Sequence, residues 1–272
     1  MLRLLAILLF IISLAGCTPR LRPFADVPDM QTLPRYSGTL TGITEWRDEL
    51  LIDGDVRIPA GSQLIIHPGT RIYIRAAQGT KIDPEFLSSA TELLIQGELR
   101  ISGSMAQPVV FTPFEVPDGT DYGWAGIELL GATRSQIVGT ELRNAETGIL
   151  CVNSSPLIKD NHLSGCRYGI IAQLGSAPVI RDNLIESGEG GIFCWRSSAP
   201  VLAGNRITGQ QEEGIHIDAD SMPTLHANII SNNDIGIYLG SRNVPYPHIQ
   251  FNANRVDVHL SRALTDAVTV DR

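Results

Sequence analysis

The stretch SSPLIKDN, Ser154 to Asn161, sets a proline, an aliphatic residue two places on and an asparagine five places on into a short polar segment. It is one copy of a repeating device. SAPVIRDN at Ser176–Asn183, SAPVLAGN at Ser198–Asn205 and SMPTLHAN at Ser221–Asn228 repeat it, and YPHIQFN, ending at Asn252, is a looser fifth copy. Pro156, Pro178, Pro200, Pro223 and Pro247 recur at intervals of 22, 22, 23 and 24 residues. A second ladder runs in phase with the first: Gly148-Ile149, Gly169-Ile170, Gly191-Ile192, Gly214-Ile215 and Gly236-Ile237. A unit this short, built of brief strands and Gly, Asn and Ser turns, cannot bury its own apolar face, so copies must stack. The pattern predicts an all-β chain, a parallel β-helix with coils of about 22 residues.

Alternation along each strand assigns the faces. Ile149, Ile170, Ile192, Ile215 and Ile237 point inward, followed two residues later by Cys151, Ala172, Cys194, Ile217 and Leu239. A second strand supplies Ile158, Ile180, Leu202, Leu225 and Ile249, and a third Leu163, Ile185, Ile207 and Ile230. Asn161, Asn183, Asn205, Asn228 and Asn252 then lie above one another at a bend, where stacked amides can hydrogen-bond along the axis and tolerate a tight corner. Cys151 and Cys194 share an inward column two coils apart, so their sulfurs stand roughly 10 Å apart, too far for a disulfide. Cys166 falls in a turn, where greater access is expected.

Earlier segments follow the same plan more loosely. LIIHPGTRIYI, LLIQGELRISGS, QPVVFTP and GWAGIEL have an order that resembles the right-handed parallel β-helix repeat proteins of bacterial envelopes, within the wider pectate-lyase-like superfamily. The resemblance covers about Leu51 to Leu260. It implies right-handed winding and an exposed parallel-sheet face on which substrates or partners bind. It selects no activity, because that superfamily includes polysaccharide lyases, glycoside hydrolases, cell-surface proteins and a periplasmic copper-site maturation protein.

The chain opens MLRLLAILLFIISLAGC, with Arg3, an apolar run and small residues before Cys17. That order reads as an export signal. LAGC resembles the lipobox of bacterial lipoproteins, which implies lipidation of Cys17 and, with Thr18 following, an outer-membrane lipid anchor; which side the body faces is left open. The expected organisation is a signal over 1–16, a lipidated cysteine and tether over 17–45, and a β-helix over 46–260 with a capped N-terminal end. A loop or helical turn is expected at 81–92 and a closing segment over 261–272. A net charge of −8 disfavours a nucleic-acid backbone as partner.

On the outward positions of the Gly-Ile strands, one column reads Leu150, Ile171, Phe193, His216 and Tyr238, and its neighbour includes Trp195 and Asp218. Apolar and aromatic residues on a solvent-facing sheet mark either coverage by the chain itself or a surface for a protein or glycan. Leu150, Ile171, Phe193, Trp195 and Tyr238 are therefore the expected binding surface. For catalysis, EEGIHIDAD gathers Glu213, His216, Asp218 and Asp220 on one coil, but no second carboxylate or base extends the set from an adjacent strand. Asp160 and Asp182 form another stacked pair, beside Lys159 and Arg181. No cofactor is expected; calcium or a transition metal is conceivable without a motif that calls for one. The reading is a non-catalytic envelope protein presenting a β-helical surface to a protein or polysaccharide, with a polysaccharide lyase or glycoside hydrolase as the alternative.

Overall fold

The computed structural model describes residues 29–77, 87–114, 122–132 and 134–261, and within them the repeat becomes a right-handed parallel β-helix. Each 22-residue unit lays down three short strands. Thr147–Val152, Leu157–Lys159 and His162–Ser164 make one coil, and Tyr168–Gln173, Val179–Arg181 and Leu184–Glu186 the next. All pairings are parallel, and the register runs Ile149 to Ile170 to Ile192 to Ile215 to Ile237. Those isoleucines are buried, as are Ile158, Ile180, Leu202 and Leu225 in the second column and Leu163, Ile185, Ile207 and Ile230 in the third. Each fully buried aliphatic side chain contributes about 1.5–3 kcal/mol, so the stacked columns hold the coils together.

The glycine before each inward isoleucine has a steric cause. A Cβ at Gly148 or Gly169 would lie 2.6 Å from the carbonyl oxygen of the glycine one coil on, at Gly214 the distance would be 2.8 Å, and at Gly191 it would be shorter still. Only a residue without a side chain lets successive coils close here.

At the second corner the amide ladder forms as the repeat requires. Asn161, Asn183 and Asn205 each donate through Nδ2 to the Oδ1 of the asparagine one coil on, at 2.9, 2.9 and 3.0 Å. Each also donates to a buried carbonyl of the preceding coil, and Asn228 does the same to Leu202. The residue just before each ladder asparagine, Asp160, Asp182, Gly204 and Ala227, has φ between +51° and +66°, the left-handed turn that the corner demands. Serines seal the first corner: the Ser154 N–H donates to Ser176 Oγ at 3.0 Å and the Ser198 N–H to Ser221 Oγ at 3.1 Å. A third ladder, Gln210, Asn233 and Asn254, closes the remaining corner.

Asn252 does not join the amide ladder. Register places Gln250 beside Ile229, Phe251 beside Ile230 and Asn252 beside Ser231, so Asn252 is an exposed strand residue. The second sheet ends at Thr224–His226, and the chain crosses residues 240–249 without another strand there. Phe251 takes the inward place, and burying its ring sets the register against the Pro247 spacing. Cys166 is also not accessible: it is 3 % exposed, because Gly165 occupies the turn.

Strands begin at Arg35–Thr39, ahead of residue 46, and Trp46 is fully buried with Tyr36 packed on it at 5.1 Å between ring centroids. Near the expected insertion, Glu92 opens the strand Glu92–Ile95 and accepts the Leu87 and Ser88 N–H groups, each at 3.0 Å. The signal, Cys17 and residues 262–272 lie outside the described residues, as do residues 81–86 of the expected insertion.

Candidate functional site

The broad sheet carries the outward column along the coil axis. Its register runs Leu150, Ile171, Phe193, His216, Tyr238 and His259. Because strands stack in register, the rings stack as well. Phe193 and His216 lie 5.4 Å apart at 13°, His216 and Tyr238 4.5 Å apart at 10°, and Tyr238 and His259 5.5 Å apart at 21°. Tyr168 meets Phe193 edge-on at 5.0 Å, and Trp195 stands across the column, 4.9 Å from Phe193 and 6.0 Å from His216.

Exposure differs sharply within the expected surface. Ile171 is 6 % and Phe193 3 % exposed, while Leu150, Trp195 and Tyr238 are half-buried. Phe193 folds over Gly190, where any Cβ would collide with its ring. His216 is half-buried and His259 exposed. Tyr168 and His259 extend the ring column beyond the residues marked from the sequence. The signal for His259 was present, since VDVHL aligns residue for residue with DIGIYL after its aspartate.

A charged row borders the rings where the strands begin. Arg167 Nε pairs with Glu189 at 2.9 Å and Arg255 Nη2 with Asp234 at 2.8 Å. Arg167 also lies 5.1 Å over the Tyr168 ring, and burial raises the Tyr168 hydroxyl above its ordinary value. The Arg255 guanidinium holds the Asp234 carboxyl below the usual carboxylate range. Glu212, between these pairs, is exposed.

Of the EEGIHIDAD set, only Glu213 and His216 come together, with Oε1 and Nδ1 3.6 Å apart. His216 lowers the Glu213 carboxyl below its ordinary value, against the opposing effect of burial. Asp218 is engaged in the backbone of the corner: it accepts the Arg196 N–H at 2.6 Å, the Ser221 N–H at 2.9 Å and the Asp220 N–H at 3.2 Å. Asp220 is exposed. Asp160 is paired with Lys159 at 3.0 Å, and both it and Asp182 occupy left-handed corner positions. These carboxylates shape turns.

Soft metal donors are dispersed. Cys151, Cys166 and Cys194 are free and buried, and burial pushes the Cys166 thiol up to about 12 and the other two higher still, against the thiolate form that metals take. Among the described residues no three His, Cys, Asp or Glu side chains are grouped to hold an ion.

A family model described as periplasmic copper-binding protein (NosD) matches residues 115–254. That description is of a periplasmic protein, and it overturns the outer-membrane, lipid-anchored location expected from LAGC. No curated protein matches the chain. Among solved structures, an alginate lyase from Paenibacillus sp. str. FPU-7 is 14 % identical, with 78 % of this chain and 74 % of that one covered at a TM-score of 0.38. Endopolygalacturonase I from Stereum purpureum is 11 % identical, with 82 % and 94 % covered at 0.39. The periplasmic alginate epimerase AlgG is 13 % identical, with 87 % and 81 % covered at 0.33.

Proposed function

Since the chain belongs to the family described as periplasmic copper-binding protein (NosD), we propose that it works in the periplasm as a non-catalytic β-helix whose ring column binds an uncharged polysaccharide. The observation that carries this reading is the row Tyr168, Phe193, Trp195, His216, Tyr238 and His259, continuous over successive coils of one sheet face. A polymer laid along the coil axis meets an equivalent position at each strand, and the apolar faces of sugar rings pack on aromatic side chains. The bordering row decides the charge of the ligand. Arg167 and Arg255 offset Glu189 and Asp234 in ion pairs, Glu212 and Glu213 remain beside the rings, and the chain carries a net charge of −8, so a polyanion is disfavoured.

Catalysis is a poorer account of the same face. Glycoside hydrolysis uses two carboxyl groups set roughly 5–9.5 Å apart across the scissile bond. Glu213 faces His216, and Asp218, the acid the sequence pairs with it, is held by three backbone N–H groups.

Affinity electrophoresis in gels containing a neutral β-glucan or alginate tests the reading. Retardation by the glucan, none by alginate, and loss of retardation in Trp195→Ala are expected, with no new reducing or unsaturated ends. Retardation unchanged in Trp195→Ala removes the ring column as the site. Turnover of either polymer, abolished by Glu213→Gln, replaces this reading with the enzymatic one.

A further inference from the structure

The last described strand, Val256–Leu260, is hydrogen-bonded to Ile235–Leu239 on one side, and among the described residues no strand pairs with it on the other. The core is open at the same end. Inward residues of the preceding coil, Leu225, Ile230, Ile237 and Leu239, are at most 2 % exposed, whereas Ile249, Phe251, Val258 and Leu260 pack on the core and stay half-buried. Lysine, proline and bulges blunt exposed edges in other sheets, and Val256–Leu260 carries none of the three. The opposite end differs. Arg35–Thr39 shifts register between Tyr36 and Gly38, with Gly38 at φ +77°, and that irregularity works against addition of a strand to the N-terminal edge.

We propose that Val256–Leu260 pairs antiparallel with the same strand of a second copy of this chain, about a two-fold axis through Val258. Such a contact is isologous: if one residue meets another across it, the second meets the first in return. Centred on Val258, the pairing sets Val256 against Leu260, Val258 against its own copy and Asp257 against His259. Residues directly opposite on an antiparallel pair project to the same face. The apolar residues of both copies therefore extend over the open core end, while two carboxylate–imidazole pairs form on the outward face, where Asp257 and His259 are exposed.

Charge selects this register. Centring the axis one residue earlier opposes Asp257 to Asp257, and one residue later opposes His259 to His259, whereas like groups directly opposite are destabilising. Both side chains are already oriented: Asp257 Oδ1 accepts Asn254 Nδ2 at 3.0 Å and keeps further acceptor capacity, and His259 is stacked on Tyr238. A contact of one five-residue strand and the core end is small beside the roughly 1,200–2,000 Å² of a stable interface, so the dimer dissociates on dilution. The pairing rests on the open strand and not on polysaccharide binding, and its readout is mass.

Sedimentation equilibrium of the full chain, from micromolar to millimolar concentration and without polysaccharide, tests it. A reversible monomer–dimer equilibrium is expected. His259→Asp sets a carboxylate against Asp257 twice across the axis and weakens association about 10-fold or more. The double variant Asp257→His/His259→Asp exchanges the partners and recovers the parent's dimer, an exchange to which association through any other part of the chain is indifferent. Thermal unfolding followed by circular dichroism confirms that these variants at exposed positions are folded. A monomer at every concentration overturns the proposal and gives the edge another occupant, the chain's own C-terminal residues or a different protein. A dimer as strong in His259→Asp as in the parent overturns it too, as does a double variant with the parent's thermal midpoint that associates no better than His259→Asp.

Discussion

Removing one rung of the amide ladder should cost far more than removing the asparagine that only resembles a rung. The Asn205 side chain makes four hydrogen bonds. It accepts from the Asn183 N–H at 3.1 Å and from Asn183 Nδ2 at 2.9 Å, and it donates to the Ile180 carbonyl at 2.9 Å and to Asn228 Oδ1 at 3.0 Å. At roughly 1 kcal/mol net each, Asn205→Ala loses about 4 kcal/mol. The buried Asn183 N–H is left without its acceptor, which holds the loss at that level despite any relaxation of the corner. Asn252→Ala removes an exposed amide from a strand and should stay within about 0.5 kcal/mol of the parent. Equilibrium urea unfolding measures both, followed by far-UV circular dichroism and by tryptophan fluorescence because stacked coils need not unfold in one step. A loss below about 1 kcal/mol for Asn205→Ala, or equal losses for the two variants, refutes the ladder as a source of stability.

Gly191→Ala should lower the thermal midpoint through overpacking, with a cost of about 1–3 kcal/mol, because its Cβ would meet the Gly214 carbonyl and lie 2.5 Å from Ile207 Cγ2; a neutral result would show that the coils can separate locally. The depressed Glu213 carboxyl makes a pH test possible. A group whose folded value lies below its ordinary 4.5 contributes stability above that value and loses it as pH falls through the folded one. Glu213→Gln should therefore flatten the decline in urea midpoint below pH 4.5, and identical acid limbs for variant and parent would show that the contact with His216 contributes nothing.

The repeat was legible because it is written in residues with few alternatives. Gly191 must lack a side chain, Ile192 must fill the core, and Asn205 must span two coils, so each leaves a mark at the same phase. Where the geometric demand admits several residues, the signal fades. The third-corner ladder uses Gln210, Asn233 and Asn254, while the preceding coil has Gly188, whose N–H donates to Gln210. No single letter recurs there. YPHIQFN shows the opposite hazard: its letters match the repeat, but without a second-sheet strand in residues 240–249 the register is set by Phe251 entering the core. Cys166 was misplaced for a related reason, since a turn can be exposed at its glycine and buried one residue later.

Alternation also found which side of the broad sheet the aromatic residues face, but exposure on that side depends on neighbours 22 residues away. Phe193 is covered because Tyr168, Trp195 and His216 surround it and Gly190 leaves room beneath it. The column is thus partly a structural stack, and its members divide by what a ligand can reach. Phe193, His216 and Tyr238 spend ring faces on one another at 4.5–5.4 Å, and of the three only His216 and Tyr238 are partly open to solvent. Trp195 stands across them, at 68° to Phe193 and 81° to His216, and lies beside these two layers of stacked rings without being one of them. Removing Tyr238 breaks two stacking contacts, so lost binding in such a variant would be confounded with lost order in the last coils. Removing Trp195 leaves the stack standing, and that is why its loss separates a surface that binds from a seam that only holds coils together.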